Sequence, residues 1–131
     1  MEDNFKLEII KPEKIIFSDS VKLVLIPSYE GDMSILKNHI SLISFLRPGI
    51  VKAEKNDAQY EEFFVQDGTL EFFNNTLVLL SASIVNIKDL SKDFLDNLYK
   101  ETTERLSKNN IADQDRYILN HKLDTLKGLN F

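Results

Sequence analysis

The repeat length of the apolar pattern changes once along the chain, near Lys88-Asp89, and that switch restricts the fold more than any other feature. Before it, apolar and polar residues alternate, as in Phe5, Leu7 and Ile9 with Lys6 and Glu8 between them. Alternation places one set of side chains on one face of an extended strand. Similar signals mark candidate strands at 14–17, 21–26, 42–46, 50–55, 60–65, 69–73 and 76–82. Asn56-Asp57, Gln66-Asp67-Gly68 and Asn74-Asn75 separate strands; such residues tolerate positive φ or bond their own backbone, and so make tight turns. The spacing predicts a β-sandwich, or flattened barrel of short strands. Phe63-Phe64, Phe72-Phe73 and 78–80 break strict alternation, as strands buried on both faces do, or a face covered by another element. Helices follow at once, which favours a covered face.

After the switch, Leu90, Phe94, Leu95, Leu98, Tyr99, Thr102 and Leu106 fall on one broad stripe of helical period, with Ser91 placed to cap. A second stripe carries Ile118, Leu119, Leu123 and Leu126, with Asp113 as its expected cap and Gly128 as its stop. The short connection 108–112 predicts an antiparallel two-helix hairpin, each helix about 24 Å long. Helices of that length are marginal alone in water, so the hairpin depends on contacts with itself and with the strands. The expectation is an α+β chain, with a β-sandwich over 1–87 and a helical hairpin over 88–131.

Composition removes several classes of function. A chain of 131 residues, 43% hydrophobic and 28% charged, suits one globular domain, or a domain with a small appendage. No apolar run approaches the roughly eighteen residues a membrane span requires. The start Met1-Glu2-Asp3-Asn4 lacks the basic and apolar segments of a secretory signal. With no Cys, disulfides and thiolate metal sites are excluded. The net charge of −5 lies wholly before residue 88, where 13 acidic residues face 8 basic ones. Nucleic acid and anionic lipid both demand clustered Lys and Arg, so neither fits.

A search for chemistry finds little. His39 and His121 are the only imidazoles, and neither has the spacing of a zinc motif. His121 reads as a surface residue near a helix C-terminus, and His39 as a loop residue bonding backbone or contacting a partner. Glu61-Glu62 sit on opposite faces of a strand, and Asp113 with Asp115 suits a helix start, so neither pair reads as an acid-base dyad. The four Gly, at 31, 49, 68 and 128, form no phosphate-binding loop, and no Gly-x-Ser-x-Gly elbow is present. No catalytic, cofactor-binding or metal-binding residues are assigned. The residues alone describe a non-enzymatic binding module.

One segment has no explanation in those terms. Within 30–49, Gly31, Asp32, Ile35, Leu36, His39, Leu42, Pro48 and Gly49 resemble a signature of the epsilon subunits of the rotary, proton-translocating ATP synthase. Ser34, Lys37, Ile40 and Ser41 depart from it, replacing Gly, Pro, Ala and Pro. Asp67-Gly68, Leu70-Glu71, Asn75 and 77–82 are similar to a second signature of the same family. The resemblance implies a central-stalk rotor subunit, peripheral on the cytoplasmic face of a bacterial inner membrane and reaching it only through partners. It implies that Glu30, Gly31 and Asp32 approach the c ring, and that His39, Ile40 and Leu42 face the gamma subunit. In relatives the hairpin extends and inhibits hydrolysis through basic residues that meet the beta subunit. Here Arg116, Lys122 and Lys127 are balanced by Asp113, Asp115 and Asp124, which implies weak inhibition. Some relatives bind ATP at the start of the first helix; the corresponding Leu90-Ser91-Lys92-Asp93-Phe94-Leu95 lacks the acid and the Arg, implying weak or absent binding. Two other readings stay open from the residues: a carbohydrate-binding or adaptor sandwich, which ought to carry exposed aromatics although Trp is absent, and a coiled-coil partner, whose heptads would need to run longer.

Overall fold

A computed structural model describes residues 3–56 and 58–129. The tight turn expected at Asn56-Asp57 and the N-terminal Met1-Glu2 therefore lie in part or wholly outside the described residues. Ten strands precede two helices: β1 (Phe5–Ile10), β2 (Ile15–Val21), β3 (Leu23–Ser28), β4 (Gly31–Ile35), β5 (Leu42–Leu46), β6 (Gly49–Glu54), β7 (Tyr60–Val65), β8 (Gly68–Phe73), β9 (Thr76–Leu80), β10 (Val85–Asn86), α1 (Lys92–Leu106) and α2 (Asp113–Gly128). A single turn of 3-10 helix, Ile87–Asp89, joins the two parts.

The strands pair in the order β10-β7-β6-β3-β5-β8-β9-β1-β2, with β4 against β3. Between β3 and β5 the only matched pair is Ser28 with Leu46, so the sheet folds over there into two layers. One layer holds β10, β7, β6, β3 and β4; the other holds β5, β8, β9, β1 and β2. All pairings are antiparallel except β1 with β9. Alternation then does what the sequence promised. Phe5, Leu7 and Ile9 of β1, Val24 and Ile26 of β3, Val51 and Ala53 of β6, and Leu77 and Leu79 of β9 all point between the layers. Phe5 meets Phe72 edge to face at 5.6 Å, an arrangement the ring quadrupole favours.

The hairpin lies on the outside of the first layer, where Phe64 packs with Leu95 of α1 and Leu126 of α2. Phe63 faces the inner core while Phe64 faces the helices, so that doublet is buried on both sides of its strand. The doublet Phe72-Phe73 corrects the expectation: Phe72 is buried, but Phe73 is 66% exposed, because no helix reaches the second layer. Segment 31–35, absent from the candidate strands read from the sequence, is strand β4, closing a hairpin on β3 with Gly31 at φ 135. Ser91 caps α1 as expected, its hydroxyl accepting from Phe94 N at 3.0 Å. At α2 the cap position belongs to Ala112, and Asp113 is the first helical residue, where its charge still favours the helix dipole. Gly128 ends α2 without a positive φ, so no left-handed stop is formed there.

Candidate functional site

The structure places the β3–β4 turn toward the Leu46 end of β5, with Glu30 reaching Ser44 in mid-strand, and places His39 toward the Leu42 end. At one end, Glu30 belongs to the β3–β4 turn, and Gly31 and Asp32 begin β4. Glu30 Oε1 accepts from Ser44 Oγ at 3.2 Å, and Tyr29 N donates to Phe45 O at 2.8 Å, so the turn is fixed to β5. At the other end, the loop after β4 is tied to the β8–β9 turn. Asn38 N donates to Asn75 Oδ1 at 2.7 Å, and Asn75 Nδ2 donates to Asn38 Oδ1 at 3.1 Å. Asn38, Asn74 and Asn75 all take positive φ, which Asn tolerates better than most residues. His39 follows, its Nδ1–H donating to Ile40 O at 2.8 Å and its ring edge-on to Phe72 at 5.9 Å. Ile40 is exposed and Leu42 is half-buried against the core.

Between the ends, the outer face of the second layer is apolar and uncovered. Ile43 is 74% exposed, Phe45 63% and Leu80 48%. Phe45 pairs across to Thr69, and Thr69 to Leu80; Ile43 pairs to Glu71, and Glu71 to Val78. Together with Phe73 these side chains share one face, because residues two apart on a strand point the same way. Of the residues named from the sequence, Leu42 lies beside Ile43 and Phe73 at the edge of this face. The missed signal was the alternation itself: Ile43 and Phe45 occupy the polar positions of β5, where apolar residues need a cover.

Asp32 has a partner within the chain. Its Oδ1 accepts from Arg47 Nη2 at 2.9 Å. Arg47 Nη1 donates to the Tyr117 hydroxyl of α2 at 2.9 Å and stands 3.4 Å from His121 Nε2. Tyr117 in turn donates to the carbonyl of Tyr29 at 2.8 Å, with the two rings 5.1 Å apart. Burial works against the charge on Arg47, but the bonds to Tyr117 and Asp32 outweigh it and raise the guanidinium above its already high ordinary value. His121 is thus no free surface residue. Burial first, then the Arg47 charge, push its imidazole below the ordinary range, while Asp124 and Asp32 pull the other way. Lys122, counted from sequence among the balanced charges of the second helix, is also lowered, chiefly by burial and then by Arg105, against the opposing pull of Glu101 and Asp67.

A pH dependence follows from His121. Its pKa in the folded chain is below the unfolded value near 6.5, so its contribution to hairpin docking is complete above about 6.5 and is lost as pH falls below it. A protonated imidazole also offers Arg47 no acceptor. Amide exchange along α2, followed from pH 8 to pH 5 and corrected for intrinsic rates, is expected to accelerate relative to the sandwich below about pH 6.5. In His121→Gln, whose amide oxygen still accepts, that acid-specific change should disappear.

Among the described residues no group of three or more His, Cys, Asp or Glu is placed to hold a metal ion. Among those residues no helix is long and apolar enough to cross a membrane. What the geometry defines is a two-layer sandwich with an apolar outer face, a charged turn at one end, and a helical hairpin latched to the opposite layer. An uncovered apolar face of that kind suits docking to another protein.

The profile of the β-sandwich domain of the ATP synthase delta/epsilon chain matches residues 4–87. An ATP synthase epsilon chain of Pelagibacter ubique is 44% identical over 131 residues, covering 99% of this chain and 100% of that one. Another, from Parvibaculum lavamentivorans, is 33% identical over 129 residues, covering 98% and 97%. Among solved structures, a chain in the Euglena gracilis mitochondrial ATP synthase, OSCP/F1/c-ring in rotational state 1, superposes with a TM-score of 0.77 at 16% identity. That superposition covers 95% of this chain and 80% of that one, and shows a shared fold. The chain belongs to the ATP synthase delta/epsilon family, as an epsilon-type member.

Proposed function

We propose that this chain is a non-catalytic subunit of the central stalk of a proton-translocating ATP synthase, where its sandwich docks the gamma subunit and rests on the c ring. The uncovered face of Ile43, Phe45, Phe73 and Leu80 carries this reading. Apolar rows of that kind on a folded chain mark a protein interface. The gamma subunit is its occupant, and the loop of His39 and Ile40 extends the contact beyond Leu42 at the strand end. Glu71, standing among the apolar residues, asks for one cation on the partner.

Glu30 of the β3–β4 turn, with Gly31 and Asp32 at the start of β4, approaches the polar loops of the c ring. The two contacts thus clamp a stiff sheet, whose cross-strand hydrogen bonds resist shear when the rotor turns. Proton flow is coupled to ATP synthesis through this rigidity, with no reaction on the chain itself. The sandwich, 1–87, and the hairpin, 88–131, act as separate units, the second modulating hydrolysis through the beta subunit weakly at most. The chain is peripheral, held at the cytoplasmic face of a bacterial inner membrane by its partners alone.

Affinity purification of the tagged chain from detergent-extracted membranes tests the reading. The expected eluate contains gamma, c and beta subunits by mass spectrometry. Recovery of the chain with no ATP synthase subunit would contradict it.

A further inference from the structure

We infer that Asp32 is the outer end of a latch: through Arg47 it sets how firmly α2 is held against the sandwich, so that a cation engaging Asp32 from outside loosens the hairpin. Only the identity of that outside cation rests on the ring contact proposed above. The two ends of the latch differ in access, the Asp32 side chain being 82% exposed and that of Arg47 14%. Docking of α2 covers Arg47 with Tyr117 and His121, one a neutral donor-acceptor and the other a base that accepts only while unprotonated. Taking a guanidinium out of water is tolerable when a carboxylate stays on it, and costly when only neutral partners remain. Asp32 is the carboxylate that does so among the described residues.

The fork geometry makes the coupling directional. Nη2 on Asp32 fixes the plane of the guanidinium, and that plane aims Nη1 at Tyr117. Arg47 itself is anchored by its backbone, N donating to Pro27 O at 2.9 Å, so only the side chain is left to move. A cation that draws away the Asp32 oxygens leaves Arg47 to swing toward water, and the Tyr117 bond goes with it. Tyr117 then loses its donor, and α2 is held at this end only by the Tyr117 bond to Tyr29 O and the contact of those two rings. By linkage the effect is reciprocal: with α2 released, Asp32 has less claim on Arg47 and meets an outside cation more readily. Glu30, two residues away, accepts from Ser44 and has no part in this chain of contacts.

Amide exchange of the full chain at pH 7, comparing α2 with β1 and β9, reads the latch directly. Asp32→Asn is expected to speed exchange over 117–126 about tenfold, the scale of one charge-assisted hydrogen bond, and to leave β1 and β9 unchanged. Glu30→Gln removes the same charge from the same turn and should change nothing. In Arg47→Gln, the further substitution Asp32→Asn should add nothing. If Arg47→Gln already frees α2 entirely, the comparison passes to Arg47→Lys, whose single ammonium serves one partner only, and there Asp32→Asn should act by less than about threefold. No acceleration in Asp32→Asn, an equal one in Glu30→Gln, or a full tenfold one in Arg47→Lys overturns the latch. None of these samples contains a ring, so the ring contact and the latch stand or fall separately.

Discussion

Phe45→Asp is expected to leave the chain folded and to weaken its binding to the gamma subunit by about thirtyfold or more. Phe45 is 63% exposed and points away from the core, so the substitution removes no packing inside the sandwich. Its effect falls on whatever covers the outer face of β5, β8 and β9. Aromatic anchors at the centre of an interface lose about 2 kcal/mol or more when truncated, and a buried carboxylate without a partner adds to the loss. That sum corresponds to at least about thirtyfold in Kd. Glu71, one strand across and one row away, adds repulsion between like charges. Titration calorimetry with a purified gamma subunit measures this, and circular dichroism of the variant confirms the fold. Binding within threefold of the parent would show that the apolar face is not the gamma site.

The largest loss of stability should come from Gly68→Ala. Gly68 opens β8 at φ +142, a conformation that side-chain-bearing residues rarely take. A Cβ there would lie 2.4 Å from Leu80 O and 2.8 Å from Ser81 Cβ. Both are fixed where β9 ends beside β8, since Thr69 pairs with Leu80 and Ser81 N donates to Ile10 O at 3.1 Å. Backbone strain and overpacking each cost about 1 to 3 kcal/mol, so about 3 kcal/mol in total is expected. For a chain of this size that lowers Tm by about 10 °C. Gly128→Ala is the contrast: nothing lies within 4 Å and the residue is helical, so it should be neutral or slightly stabilising. Equal Tm for the two variants would contradict this account of the β8 entrance.

The residues expressed the fold well where one strand face met one environment. Phe5, Leu7 and Ile9 showed their burial through alternation because β1 is polar on its outer side. The doublets were harder. Phe63-Phe64 and Phe72-Phe73 look alike in sequence, yet the first sits between core and helices and the second between core and an open face. A pattern of residue types records that a surface is apolar, and says nothing of what covers it. Strand β4 was hidden for a different reason: Asp32, Met33, Ser34 and Ile35 do alternate, but the stretch is short and opens on a turn glycine. The contact residues proposed in the loops, Glu30 to Asp32 and His39 with Ile40, came from the family resemblance alone. The link from Arg47 to Tyr117 spans 70 positions and depends on how the hairpin lies on the sheet. Tyr117 and His121, four apart on one helix face, were its only local trace.

The central claim is that one sheet of this chain is held between two different partners, and photo-cross-linking tests it most directly. The chain has no Cys, so a single one accepts a maleimide-linked benzophenone unambiguously. With Ile43→Cys so labelled in the assembled enzyme, illumination is expected to yield a product with the gamma subunit. With Glu30→Cys, which leaves the Asp32–Arg47 pair in place, the expected product is with the c subunit. Cross-links from both positions to one and the same partner, or to none from the ATP synthase, would contradict the account.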